Sequence, residues 1–190
     1  MSWLVIISNI VFLYIILLII TPRGYYWYMP SWVPVYPKNE DEIPIVARAR
    51  NTINPELIAF HKRTDPSVIF AFYDFLQEKG IQYSLKKLQE YVISWNVILP
   101  VYFLKWLHNR RRVYQYVPGI NLTSHTAATP AYPAGHAYQA YTLAKILSKE
   151  YPQYRNEFIK LAEKCDYVRV AAGLHYPSDG EYSRWLVGDM

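Results

Sequence analysis

The sequence has little cysteine, no internal repeat and no run of the alternating pattern that is typical of β-strands. Its one cysteine, Cys165, excludes an intrachain disulfide framework and a cysteine-based zinc site. The basic residues form no extended stripe, so nucleic acid is not a predicted partner, although the net charge of +5 suits an anionic ligand or a membrane surface. A length of 190 residues, 52% hydrophobic and 17% aromatic, predicts one folded domain.

The first 22 residues carry no charge, and residues 4–20 are apolar except for Ser8 and Asn9. Because about 17–25 such residues span a bilayer as a helix, the sequence predicts a single-pass N-terminal membrane anchor over residues 1–22. A cleaved signal peptide, which normally has a basic start, and a buried helix are the alternatives. Arg23 and Lys38 follow the segment and no basic residue precedes it, which predicts a cytosolic main domain.

Residues 23–45 are rich in aromatic side chains and in proline. The aromatic residues are Tyr25, Tyr26, Trp27, Tyr28, Trp32 and Tyr36, and the prolines are Pro30, Pro34, Pro37 and Pro44. The prolines predict an extended chain, with a short acidic loop over residues 39–42. Aromatic side chains that follow a membrane helix favour an arm at the membrane interface, and packing on the folded domain is the alternative.

Residues 46–190 are predicted to form a bundle of five or six helices. One helix is predicted to begin at Asp65 and Pro66 and to end at Gly80. Ser84 is predicted to cap a second, long helix that bends at Pro100 and ends in the basic turn 110–112. The apolar face of this helix is predicted to contain Leu85, Leu88, Val92, Trp95, Leu99, Phe103 and Leu107.

A long loop over residues 113–133 separates these helices from three more, which are predicted to begin near Gly135, Pro152 and Pro177. Loops of this length are usually functional or disordered. Near the end of the second helix, His108, Arg110 and Arg111 are predicted to be surface residues.

Three segments combine histidine with basic or acidic side chains: residues 105–112, 132–137 and 169–179. Arginine and lysine bind phosphate oxygens, and a helix that begins with glycine offers free backbone N–H groups to an anion. His175 and Asp179 lie four residues apart, so the carboxylate can hold Nδ1–H and leave Nε2 as a nucleophile. These residue types indicate an anion site suited to phosphoryl chemistry.

The three segments resemble the three motifs of the type-2 phosphatidic acid phosphatase and vanadium haloperoxidase superfamily. Those motifs are K-x6-R-P, P-S-G-H and S-R-x5-H-x3-D. This sequence has, in the same order, Lys105-x6-Arg112, Pro133-Ala134-Gly135-His136 and Arg169-x5-His175-x3-Asp179. The resemblance covers residues 60–188 and implies an all-α helical bundle of that superfamily's type, here preceded by one transmembrane helix.

The resemblance also implies a role for each matching residue. His175 would take the phosphoryl group as a phosphohistidine, Asp179 would orient it, and His136 would protonate the leaving group and then activate water. The residues that would hold the phosphate are Lys105, Arg112, Gly135 and Arg169. The implied activity is hydrolysis of phosphomonoesters or pyrophosphates, including lipid ones, at a membrane without a metal or cofactor.

Three positions depart from the motifs. Ala134 replaces the serine of P-S-G-H and removes a hydroxyl donor, while Val113 and Val168 replace the proline and the serine that flank the motif arginines. These changes keep open a weakly active or inactive relative that serves as a structural subunit of a membrane complex or virion. A vanadium-dependent haloperoxidase, with vanadate bound through His175, is the other alternative.

Overall fold

A computed structural model describes residues 3–20, 24–26 and 30–190, without the side chains of Leu4 and residues 14–20. This part of the chain forms nine α-helices and contains no β-strand, which confirms the all-α prediction. The helices are α1 (Trp3–Ile20), α2 (Asn39–Asn51), α3 (Pro55–Thr64), α4 (Ile69–Glu78), α5 (Leu85–Ile93), α6 (Trp95–His108), α7 (Gly135–Glu150), α8 (Arg155–Ala171) and α9 (Pro177–Val187).

Helix α7 lies at the centre of the bundle and packs along α8 and α9, with α4, α5 and α6 also against it. Its buried face carries small side chains, Ala137, Ala140 and Ala144, which let the neighbouring helices approach closely. Phe72 and Phe158 stack in the same core with ring centroids 6.3 Å apart. The predicted beginnings of α7 at Gly135 and of α9 at Pro177 are confirmed.

The long helix predicted from Ser84 is two helices. Ser84 caps α5 as expected, because its Oγ accepts a hydrogen bond from the backbone N–H of Lys87. Ser94 then adopts an extended conformation with ψ 146°, which ends α5 before α6 begins. Pro100, the predicted point of bending, lies inside α6.

This interruption changes which residues face the core. Leu88 of α5 is buried, as predicted. Beyond Ser94, however, Trp95, Leu99 and Phe103 of α6 are exposed, so the prediction that they face the core is wrong. The physical reason is that a residue outside helical geometry shifts the rotational phase of every residue after it.

The N-terminal part of the chain differs in two places from its predicted conformation. Helix α2 begins at Asn39 and contains Pro44, so the extended chain and the acidic loop predicted there are wrong. Acidic residues in the first turn of α2 complement the helix dipole, which offsets the one backbone hydrogen bond that proline removes. Trp27 and Tyr28 of the arm lie outside the described residues, as do Arg23 and residues 1, 2, 21 and 22 of the predicted anchor.

The described arm residues pack against the end of α6. The Ser31 hydroxyl donates to the His108 carbonyl over 2.6 Å, and the Trp32 N–H donates to the Leu107 carbonyl over 3.1 Å. The rings of Tyr36 and Tyr132 lie 5.3 Å apart. In the part of the chain that the structure describes, no helix has the length and apolarity that crossing a membrane requires. The anchor over residues 1–22 stays a prediction.

Two leucines of the predicted apolar face test the break at Ser94. We expect Leu88→Ala to lower the free energy of unfolding by about 2–5 kcal/mol, because it leaves a cavity at a fully buried position. Leu99→Ala, at an exposed position of α6, should change it by less than about 0.5 kcal/mol. Chemical denaturation of the full chain measures both values. Equal losses would mean that α6 continues the phase of α5.

Candidate active site

The ends of three helices meet around one cavity. Asn109 adopts a left-handed conformation (φ 44°) that ends α6 at His108, and its side chain exchanges two 2.9 Å hydrogen bonds with the backbone of Tyr26. The prediction that residues 110–112 form the last helical turn is therefore wrong. They leave α6 as non-helical chain, which carries Arg112 towards the beginnings of α7 and α9.

His175 and Asp179 are joined as the resemblance implies. His175 Nδ1 lies 3.0 Å from Asp179 Oδ2, and since a carboxylate can only accept, Nδ1 carries the hydrogen. The lone pair is therefore on Nε2. Burial, and then the positive charge of Arg112, hold the pKa of His175 well below its usual value, so the ring is neutral.

A tight turn sets the position of His175 after α8. Gly173 has a φ of +69°, and a Cβ there would lie 2.8 Å from the carbonyl oxygen of Ile120. Only glycine fits this close approach without strain. The turn allows the chain to leave α8 shortly after Arg169 and to enter α9 at Pro177.

Arg112 contacts His175, the predicted nucleophile, directly. Its Nη1 lies 3.0 Å from His175 Nε2 and donates to the Leu174 carbonyl over 2.9 Å, while Nε donates to the Thr129 carbonyl over 2.8 Å. Burial, together with the charge of Arg169, lowers the pKa of Arg112 to about 10, which still leaves it charged at neutral pH. The lone pair of His175 thus accepts a hydrogen bond from a residue expected to bind phosphate.

Lys105 lies in the last turn of α6 and is buried. Its Nζ donates to the carbonyl oxygens of Pro130 and Ala131. Burial and the charge of Arg112 hold the Lys105 pKa well below its usual value. The predicted long loop therefore lines the site and supplies the oxygens that hold this side chain.

Arg169 is buried beside the cavity but forms an ion pair that sequence reasoning missed. Its Nη1 donates to Asp65 Oδ1, and its Nη2 donates to Thr126 Oγ1 over 3.1 Å. Asp65, predicted as the N-cap of a helix, instead follows α3 as its C-cap residue, and α4 begins only at Ile69. Burial opposes ionisation of Asp65, but hydrogen bonds from Arg169 and Ser124 outweigh it and lower its pKa.

His136 occupies the first turn of α7, next to Gly135. Its Nε2 lies 2.9 Å from the Asp65 carbonyl oxygen, so Nε2 carries the hydrogen and Nδ1 is the nitrogen that can take up a further proton. Burial and the charge of Arg169 lower the His136 pKa to about 3. No side chain among the described residues caps this end of α7.

These side chains border a cavity of about 220 Å³. Of the seven residues predicted for the site, five line it: Lys105, Arg112, Gly135, His136 and His175. Asp179 and Arg169 stand behind it, bonded to His175 and Asp65 respectively. Within the described ranges, no group of three histidine, cysteine, aspartate or glutamate side chains could hold a metal ion.

The three departures from the motifs lie in the protein interior. Ala134, Val113 and Val168 are all fully buried and none of them lines the cavity. Ala134 joins α7 to α9, because its carbonyl accepts from the Ser183 hydroxyl and its N–H donates to the Asp179 carbonyl. The backbone carbonyl and N–H of residue 134 therefore help to position Asp179, whichever side chain residue 134 carries.

Arg110 stands behind the site, and its predicted surface position is wrong. Instead of lying on the surface, it is fully buried and donates to Asp179 Oδ1 over 2.7 Å and to Glu42 Oε2 over 2.6 Å. The rings of Tyr36 and Tyr176 cover its two faces at 4.4 and 3.8 Å. Burial alone would lower the Arg110 pKa, but Asp179 and Glu42 outweigh it and raise that pKa.

Each N–H of Arg110 has an acceptor. Besides the two carboxylates, they are Asn39 Oδ1, Ser178 Oγ and the Pro37 carbonyl. Glu42 completes the network by accepting the Ser178 N–H at the beginning of α9. The two acidic partners, Glu42 and Asp179, are far apart in sequence, so no local pattern around residue 110 pointed to this burial. His108, also predicted on the surface, is buried beneath Tyr132.

Comparison with protein-family models and with curated proteins finds no match to this chain.

Arg110 and the exposed Arg111 form a matched pair for mutation. We expect Arg110→Met to lower the free energy of unfolding by about 3–5 kcal/mol, because it leaves two buried carboxylates without their cation. Arg111→Met should cost less than about 1 kcal/mol, because the Tyr25 hydroxyl is its hydrogen-bond partner at the surface. Denaturant titration of both variants compares them, and similar losses would contradict the described network.

The lowered pKa of His136 predicts a pH-dependent contribution to stability. Below about pH 6.5 the unfolded chain protonates this histidine, whereas the folded chain leaves it neutral down to a pKa of about 3. The stability that wild type has relative to His136→Gln should therefore fall by about 1.4 kcal/mol per pH unit as pH decreases from 6.5. Denaturation at pH 7, 6 and 5 measures this difference, and a constant difference would show that His136 is not kept neutral.

Proposed function

We propose that this protein is a membrane-anchored, metal-independent phosphatase that hydrolyses phosphomonoesters or pyrophosphates through a phosphohistidine on His175. The observation that carries the proposal is the tautomer of His175. Asp179 fixes the hydrogen on Nδ1 and leaves the Nε2 lone pair beside a cavity that Lys105 and Arg112 border. A lone pair held in this way next to the charged Arg112 and the amine of Lys105 is suited to attack on a phosphate.

Arg112 links binding of the substrate to release of the nucleophile. Its Nη1–H points at His175 Nε2 over 3.0 Å, so this hydrogen bond engages the lone pair that must attack phosphorus. A phosphate oxygen is a stronger acceptor for a guanidinium than a neutral ring nitrogen. When phosphate enters, Arg112 is expected to donate to the phosphate instead, which frees Nε2 for attack.

His136 is proposed as the acid and base. Its pKa of about 3 reflects burial and the charge of Arg169, both of which disfavour the imidazolium form. A phosphate dianion adds negative charge nearby and so raises that pKa, and the proton enters at Nδ1. Binding of the substrate is therefore coupled to protonation of the group that must protonate the leaving oxygen.

The reaction has two balanced steps. His175 Nε2 forms a bond to phosphorus as the bond to the leaving oxygen breaks, and His136 gives its proton to that oxygen. His136 then accepts a proton from water, whose oxygen attacks phosphorus and displaces His175. The backbone N–H groups at the beginning of α7 and the side chains of Lys105 and Arg112 stabilise the charge on the phosphate oxygens in both steps.

The remaining part of the proposal concerns location. Residues 1–22 are proposed to hold the domain at a membrane as a single-pass anchor, with the domain on the cytosolic side. The uncharged sequence supports this placement. The candidate substrates are phosphorylated small molecules and lipids that reach this surface.

One observation favours a second function, that of a structural subunit in a membrane complex or virion. All three basic residues of the motifs are engaged with the protein itself. Lys105 bonds to two backbone carbonyls, Arg112 to two others and to His175, and Arg169 to Asp65. A pocket retained without turnover would look similar. The haloperoxidase alternative instead predicts that vanadate and peroxide support oxidation of bromide.

Phosphate release by the full chain tests the proposed reaction. With chelator present, wild type should release phosphate and His175→Ala should fall to background. His136→Ala should lose about 10²–10⁴-fold on an alkyl phosphate, whose leaving group needs a proton. It should lose much less on p-nitrophenyl phosphate, whose leaving group does not. Equal activity of wild type and His175→Ala on every substrate would support the structural subunit.

A further inference from the structure

Helix α6 presents an apolar surface to the outside of the bundle. We call Trp95, Leu99, Tyr102 and Phe103 the α6 outer face. These side chains are 76%, 55%, 56% and 58% exposed. They follow one another at intervals of four, three and one residues, so they lie on one side of the helix. No charged residue occurs between positions 91 and 104.

Four adjacent large apolar side chains form a surface that soluble domains seldom leave open to water. Val97 and Val101, on the opposite side of α6, are buried in the bundle, so the α6 outer face is not needed for the core. Helix α1 does not cover it in the described part of the chain, where α1 packs on no other helix.

We propose that the α6 outer face lies on the surface of a lipid bilayer. The path of the chain favours a bilayer over a protein partner. Trp32 bonds to the end of α6 at Leu107, and only 11 residues separate Trp32 from Ile20, the last residue of α1. At a maximum of about 3.6 Å per residue, this segment reaches about 40 Å.

Helix α1 itself favours an apolar environment on every side. Its described side chains include large apolar residues on all sides of the helix, and the exposed ones are Trp3, Val5, Ile7, Ile10, Val11, Phe12 and Leu13. A helix that is hydrophobic all round needs burial in a core or a membrane. With α1 in a bilayer, the short connection keeps α6 near its surface.

The composition of the α6 outer face also suits an interface. Tryptophan and tyrosine, which form two of its four positions, prefer the boundary between lipid and water. Trp32 of the arm, which bonds to Leu107 near the C-terminal end of α6, is also exposed and would extend the contact. Tyr102 also lines the cavity, so this orientation brings that wall of the cavity close to the membrane.

Spin labels on the full chain test the proposal in vesicles of phosphatidylcholine and phosphatidylglycerol. Labels are placed in separate Leu99→Cys and Phe103→Cys variants, with Glu157→Cys, on the exposed side of α8, as the matched control. The native Cys165 is buried and does not compete for the label. All three labels lie on exposed side chains, and circular dichroism confirms that the variants fold.

The expected result is a shift of collision accessibility towards oxygen and away from a water-soluble nickel complex at positions 99 and 103, with no such shift at 157. Labels at 99 and 103 that are as accessible to the nickel complex as the control would overturn the proposal. So would a chain that does not float with the vesicles. Short distances between labels on two copies would also overturn it, because a second copy would then be the occupant. The result does not depend on turnover, so an inactive enzyme leaves the proposal standing.

Discussion

The buried ion pair between Arg110 and Asp179 is the interaction on which the rest of the site depends. Asp179 is fully buried, and burial raises its pKa, while the charge of Arg110 opposes that shift and favours the carboxylate. Only as a carboxylate can Asp179 accept hydrogen bonds from both His175 Nδ1 and the Tyr176 N–H. The tautomer of His175, the proposed nucleophile, is therefore maintained by a cation that does not line the cavity.

The same cation connects the site to the N-terminal part of the chain. Arg110 bonds to Glu42 of α2, stacks on Tyr36 of the arm, and stands beside the beginning of α9. Burying a guanidinium costs several kcal/mol unless each of its N–H groups has a hydrogen-bond acceptor, and each N–H of Arg110 has one. The arm and α2 therefore help to hold the Asp179 carboxylate, so substitutions in either are expected to disturb the position of His175.

The basic residues of the site repel one another, and a bound anion would reduce that repulsion. Lys105, Arg112 and Arg169 lie close enough to lower one another's pKa or that of the histidines, and Asp65 compensates part of their charge. Burial, and then the charge of these basic residues, lowers the pKa of His175 and of His136 and keeps both neutral. A phosphate dianion would relieve the repulsion among the basic residues and favour protonation of His136. In the proposed reaction, the same charges would therefore promote both substrate binding and acid catalysis.

The sequence predicted those features that depend on neighbours along the chain. The cap at Ser84 and the beginnings of α7 and α9 follow from local hydrogen bonding and from the restricted backbone of proline. Asp65 and Arg110 were misplaced because their partners are 104 and 69 residues away, and a good N-cap residue or an arginine in a basic cluster looks the same whether or not such a partner exists. The break at Ser94 was missed because the apolar spacing continues across it.

Detection of a phosphohistidine is the most direct test of the central claim, that His175 is the nucleophile. The full chain is mixed with a ³²P-labelled phosphomonoester, quenched in alkali, digested and sequenced by mass spectrometry. The account predicts an alkali-stable, acid-labile phosphate on His175, present in wild type and absent from His175→Ala. Turnover without any labelled residue, or a phosphate carried by another side chain, would contradict it.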